Sequence, residues 1–162
     1  IVTDGLLVSL DAASARSYSG SGDWVDLATT GHWTKYGNPV FIPHTTPAGA
    51  ACWDFDATGD YFKLNNHTTN LDPGTGDMTW EAWFQTDATS GDGYIYSNFE
   101  NNGHRVEMRA GTGGKVCRML LRGATQQYND TSTAASAGVW YHLIVRYDRD
   151  AANVNAGITF LR

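Results

Sequence analysis

Charge is what this chain has least of. Asp, Glu, Lys and Arg make up 17% of its 162 residues, against about a quarter in an ordinary globular domain. Only Glu81, Glu100 and Glu107 are glutamates, and only Cys52 and Cys117 are cysteines. A chain of this size buries enough apolar surface to fold without staples or metals, so two thiols are no handicap. Long apolar runs are missing too, which excludes a membrane-spanning helix of about 20 apolar residues. No cationic stretch followed by an apolar run opens the chain, so no secretory leader is visible, and Ile1 in place of Met suggests a natural start elsewhere. Helical periodicity is almost absent.

What is present is aromatic and turn-forming. Six Trp, eight Tyr, six Phe and 18 Gly predict strands and tight turns. The length fits one domain over residues 1–162. A net charge of −6 argues against a general nucleic-acid binder, which needs clustered Lys and Arg. The charge is uneven: residues 1–104 carry three basic side chains against thirteen acidic ones, and residues 105–149 carry seven against three.

Period-2 alternation organises the chain. Residues 5–10 read as a first strand, 11–22 as a loop of small residues, and 24–27 as short and irregular. Pro39, Pro43 and Pro47 cut residues 31–47 into pieces too short for central strands. Ala51, Trp53 and Phe55 alternate with Cys52, Asp54 and Asp56, and a turn at 57–59 leads into a strand at 60–64. After a polar loop comes Met78–Gln85, with Met78, Trp80, Ala82 and Phe84 on one face and Thr79, Glu81, Trp83 and Gln85 on the other. Residues 94–99, 104–110, 115–122 and 139–147 follow at the spacing of an all-β sandwich. Residues 157–162 look like one more strand, inside which the chain ends, so further residues or another chain are expected to complete it. The fold class is all-β: an antiparallel sandwich of two sheets packed face to face.

Alternation also sorts the cysteines. Cys52 lies opposite Trp53 and Phe55 in the pattern, whereas Cys117 shares a face with Met119 and Leu121. Thiols leaving opposite faces do not meet disulfide geometry, so both are expected free, with Cys117 in the core.

Four blocks carry a family resemblance. Residues 1–13, with Ser17-Tyr18 and Trp24-Val25-Asp26-Leu27, resemble the amino-terminal strand and loop of the laminin G-like group of concanavalin A-like lectin/glucanase jelly rolls. Residues 55–62 are similar to that group's Phe-Asp-Gly-x-x-Asp-Tyr-Val hairpin, with Ala57 in place of its glycine. Residues 78–84 resemble its Phe-Thr-Ile-Glu-Ala-Trp strand, and residues 138–145 its Gly-x-Trp-x-His-Val-x-Val strand. The group's closing strands, with Asp-Gly-x-Ile-Asp-x-Val, do not appear, which implies a fragment lacking roughly a fifth to a quarter of the usual domain. The opening block looks like those of phage tail and virion-surface proteins. The resemblance therefore implies a virion-surface or extracellular location and membership of a homo-oligomeric assembly.

Glucanase relatives with this fold place catalytic carboxylates along one strand in a Glu-x-Asp-x-x-Glu pattern, which is absent from this chain. The one close pair on a strand, Asp54 and Asp56, reads as solvent-facing strand-end residues, so a non-enzyme is expected. Many relatives bind Ca²⁺, which implies Asp56, Asp60, Asp87 and Asp92 as candidate ligands. The residues themselves favour local turn hydrogen bonds for these four. His32, His44, His67, His104 and His142 show no zinc spacing.

The polar faces of the strands are the more informative candidates. With Val106 and Met108 inward, Arg105, Glu107 and Arg109 face out. Cys117, Met119 and Leu121 inward put Arg118 and Arg122 outside, and Tyr141, Leu143, Val145 and Tyr147 inward do the same for His142 and Arg146. Glu81 and Trp83 belong to the corresponding face of the earlier strand. Such a surface suits glycans, since aromatic rings stack on sugars and charged planar groups fix hydroxyls or acidic sugars. It equally suits a protein interface between subunits, or a solvated face with cross-strand ion pairs. The leading expectation is a non-catalytic module recognising host- or cell-surface glycans, with a structural docking module as the alternative.

Overall fold

A computed structural model describes residues 5–43, 50–56, 58–65, 76–87, 92–98, 104–111, 114–122, 126–131, 134–148, 150 and 158–161. Side chains are described for all of these except 98, 104–111, 114–115, 121–122, 126–127 and 158–161. Among these residues there is no helix. The strands are β1 (Trp24–Val25), β2 (His32–Tyr36), β3 (Val40–Ile42), β4 (Cys52–Asp54), β5 (Tyr61–Asn65), β6 (Met78–Gln85), β7 (Gly93–Asn98), β8 (His104–Gly111), β9 (Gly114–Arg122), β10 (Gln126–Asp130), β11 (Trp140–Tyr147) and β12 (Ile158–Leu161). Every pairing is antiparallel. The chain divides into two compact units, Ile1–Asn70 and Leu71–Arg162.

The first unit holds a three-stranded sheet, β1-β2-β5, and the hairpin β3-β4. Its interior is aromatic. Trp53 of β4 packs edge-on against Phe62 of β5 at 4.8 Å, against Tyr18 at 4.7 Å and against Phe41 of β3 at 5.3 Å. Trp24 of β1 meets Phe62 at 5.2 Å. Large rings in tilted or edge-to-face contact each bury a large area, which is how so short a segment gathers a core.

The expected first strand does not form. Leu6 and Leu7 are exposed, and residues 5–10 carry no ladder. A side chain takes over part of the backbone pairing there: the Ser9 amide donates to Asp26 Oδ1 at 2.8 Å, and the Leu27 amide donates to the Ser9 carbonyl at 2.8 Å. Asp26 is buried, and it also accepts the Ala28 amide and the Thr29 hydroxyl, each at 2.8 Å. Such local carboxylate–backbone bonds compete with a sheet ladder. Buried Ser17 completes the clasp, donating from Oγ to the Val25 carbonyl at 2.6 Å.

Three further expectations are corrected in this unit. Residues 24–27 contain a strand, β1. Residues 31–47 do contain a central strand, because β2 lies between β1 and β5; the three prolines fall outside His32–Tyr36 and leave its ladder amides intact. Phe55 is not inward with Trp53: β4 stops at Asp54, and Phe55 is exposed.

The second unit is the expected sandwich. One sheet runs β12-β11-β6 and the other β10-β9-β8-β7. Phe84 of β6 and Leu143, Val145 and Tyr147 of β11 form one buried cluster with Cys117 and Met119 of β9 and with Ala135. Met78, Trp80, Ile95 and Tyr141 pack around that cluster. The cluster joins the inner faces of the two sheets, and each fully buried aliphatic side chain stabilises the fold by about 1.5–3 kcal/mol. Alternation along β6 follows the pattern read from the sequence, with Trp80, Ala82 and Phe84 shielded and Glu81, Trp83 and Gln85 exposed. Cys117 is buried and Cys52 half-buried, and neither is joined in a disulfide. Strand β10 had no signal in the sequence pattern, since Gln-Gln-Tyr-Asn-Asp lacks apolar alternation.

Candidate functional site

Strands β6 and β11 place four of the candidate residues on one outward face. Their register sets His142 opposite Trp83, Ile144 opposite Glu81 and Arg146 opposite Thr79. Directly opposed residues on adjacent strands have side chains close enough to touch, and diagonal neighbours are within reach of long ones. Both contacts are made. The His142 imidazole lies flat on the Trp83 indole, with centroids 4.6 Å apart and planes 8° from parallel. Its Nε2–H donates to Glu81 Oε1, on the diagonal, at 2.8 Å.

The indole remains 58% exposed. One ring face of Trp83 is therefore held by His142, and His142 is held by Glu81. A broad aromatic surface whose side chains are already ordered loses little freedom when a ligand lands on it. Glu81 adds acceptor capacity at the edge of that surface, its side chain being 62% exposed. Arg146 is exposed on the same face.

The remaining candidates do not join this group. Arg105, Glu107 and Arg109 lie on β8, and Arg118 and Arg122 on β9, in the other sheet. The inner faces of both sheets are spent on the shared core, so outward residues of the two sheets lie on opposite sides of the sandwich. The single nine-residue surface expected from alternation is thus two surfaces. Alternation reports which side a residue takes and is silent on which strands share a sheet. The register aligns Asp130, Arg118, Glu107 and Tyr94 in one row across β10, β9, β8 and β7. The side chains of Arg105, Glu107, Arg109 and Arg122 lie outside the described residues.

Arg118 is engaged within the protein. Its Nε and one terminal nitrogen donate to the two oxygens of Asp130 at 2.6 and 2.8 Å. Its guanidinium carbon sits 4.0 Å from the centre of the exposed Tyr128 ring. This fork-shaped pair, stacked on an aromatic face, is a cross-strand brace between β9 and β10. Its partners come from β10, the strand without a sequence signature, so the brace was not legible in advance.

The Asp candidates for Ca²⁺ are divided between the two units. Asp56 Oδ1 accepts the Thr58 amide at 2.8 Å, and Asp60 accepts the amides of Asn38 at 2.5 Å and Asp56 at 3.1 Å. Both serve turns of the first unit, whereas Asp87 and Asp92 are exposed beyond β6 and before β7 in the second. Among the described residues, no group of three or more His, Cys, Asp or Glu is placed to hold a metal ion. Asp54 ends β4 exposed, and its neighbour Asp56 is occupied with the turn.

A two-sheet antiparallel body with this strand pattern narrows the ancestry, and a laminin G family model, described as the concanavalin A-like lectin/glucanases superfamily, matches residues 56–156. The chain belongs to that superfamily. The match covers β5 to β11 and with them every candidate residue of the two outward surfaces. No curated protein and no solved structure matches the chain. Membership makes this concanavalin A-like domain compatible with carbohydrate binding or adhesion.

Proposed function

We propose that this concanavalin A-like domain is a non-catalytic recognition module that binds glycans through the Trp83–His142–Glu81 face. The supporting observation is the exposed indole backed by a parallel imidazole. Apolar faces of pyranose rings stack on such a surface, and a neighbouring carboxylate accepts from sugar hydroxyls. The aspartates at Asp54 and Asp56 lack the catalytic carboxylate pattern of the glucanase relatives, which supports a binding role without hydrolysis. The similarity of the opening block to virion-surface proteins supports a place on a virion or another extracellular assembly, with neighbouring subunits as its second kind of partner.

A glycan array probed with the whole chain, in Ca²⁺ and again in chelator, tests this reading. Binding to some array glycans is expected, with a loss of about tenfold or more in Trp83→Ala and a smaller loss in His142→Ala. Calcium dependence of the signal would place a bound ion beside the sugar. Absence of any bound glycan, or binding unchanged in a folded Trp83→Ala variant, would refute the assignment. Hydrolysis of a β-glucan that disappears in Asp54→Asn would overturn the non-catalytic reading.

A further inference from the structure

We infer that the outward face of the β1-β2-β5 sheet is a second carbohydrate-binding surface, which takes a neutral polysaccharide by stacking a pyranose ring on Tyr61. The register sets Tyr36 opposite Tyr61. Their rings lie 4.8 Å apart and 5° from parallel. They are nevertheless 38% and 48% exposed. An aromatic pair this open gives one ring face to its partner and leaves the other to solvent, where it suits a ring-shaped ligand with an apolar side.

The same face continues as a polar row. Alternation puts His32 and Thr34 of β2, and Lys63 and Asn65 of β5, on the side that carries the two tyrosines. Thr34 Oγ1 donates to Asp23 Oδ1 at 2.9 Å and accepts from Asn65 Nδ2. The other Asp23 oxygen lies 3.6 Å from His32 Nδ1. These bonds hold the row in place before any ligand arrives, which lowers the ordering cost of binding. Lys63 is exposed at the middle of this row, opposite Thr34, where an ammonium suits a sugar hydroxyl.

The tyrosines stand on a fixed base. Tyr36 is followed by Gly37-Asn38 and Tyr61 is preceded by Gly59-Asp60, and the Asp60 carboxylate accepts the Asn38 amide at 2.5 Å. Charge selects the ligand class. Residues 1–70 carry seven Asp against two Lys and one Arg, which repels a polyanion, while stacked rings and a hydroxyl-matching row suit a neutral sugar chain. A protein interface would show large apolar side chains in the row, and these four positions carry none.

This surface uses none of the residues of the Trp83 face, so the two assignments stand or fall separately. Calorimetric titration of the whole chain carrying Trp83→Ala, which silences the first face, with cellohexaose, mannohexaose and xylohexaose, and with polygalacturonate as the acidic control, provides the test. At least one neutral oligosaccharide is expected to bind this Trp83→Ala chain, about tenfold more weakly when Tyr61→Ala is added and nearly unchanged when Tyr61→Phe is added. Undiminished binding after Tyr61→Ala is added, or binding of polygalacturonate alone, would each overturn the inference. So would a Trp83→Ala chain that binds none of the three. Sedimentation of the same variants completes the test: an oligomer that dissociates in Tyr61→Ala would assign this face to protein contact instead.

Discussion

Gly37 lies against Asp60 so closely that a side chain has no room between them. A Cβ built on residue 37 would overlap Asp60 Oδ1 and stand 2.6 Å from the Gly59 carbonyl oxygen. The backbone there is left-handed, with φ of +73°. This approach lets the Asn38 amide reach the Asp60 carboxylate, and through it the turn after β2 is tied to the turn before β5.

Substitution at Gly37 should therefore cost more than backbone strain alone. Gly59 has nearly the same conformation, φ +78°, with none of the described residues within 4 Å of its would-be Cβ. Gly59→Ala is expected to cost about 1 kcal/mol. Gly37→Ala should cost about 1–3 kcal/mol more, because the overlap is with backbone and with a carboxylate already bonded elsewhere. Urea midpoints of the two variants measure the difference, and equal midpoints would show that the close approach does not govern this turn.

Trp53 offers a second contrast. Its rings pack on Phe62, Tyr18 and Phe41, yet its indole nitrogen is buried with no hydrogen-bond partner among the described residues, as are those of Trp24 and Trp33. An unpaired buried donor costs about 1–3 kcal/mol, which removal of the N–H recovers. Trp53→Phe should then fall within about 1 kcal/mol of the parent, the recovered donor cost offsetting lost contact area, while Trp53→Ala costs about 3–5 kcal/mol. Thermal and chemical unfolding of both variants decides this, and a Phe variant as damaged as the Ala variant would contradict it.

The Arg118–Asp130 brace calls for a double-mutant cycle. The side chains are 18% and 33% exposed and joined by two short bonds. A coupling of about 1–2 kcal/mol is expected, above that of an exposed pair and partly screened by salt. Arg118→Lys should lose most of it, since an ammonium has no fork to match the carboxylate. A coupling near zero would reduce the pair to a surface ornament.

Legibility followed the kind of signal each segment carries. Met78–Gln85 and Trp140–Tyr147 alternate over eight residues with one face apolar, so their span and their facing were readable, Val139 excepted. Cys117 could be placed inside for the same reason. Residues 5–10 look like a strand by composition, but the partner that captures their backbone is the Asp26 side chain, 17 residues from Ser9. Strand β10 is almost wholly polar; it exists because β9 offers it a ladder, with Tyr128 opposite Leu120 and Asp130 opposite Arg118.

From its amino acids alone, this protein was bound to be all-β, with Trp83 and His142 turned outward and Leu143 and Val145 turned in. Those outcomes rest on periodicity, a local property of the chain. Whether His142 lies on Trp83, whether Arg118 meets Asp130, and whether Arg118 shares a surface with Glu81 were settled only by which strands became neighbours. Pairing is decided by contacts between segments tens of residues apart, where hydrogen bonds and burial are won jointly by two strands, and neither strand encodes its partner by itself.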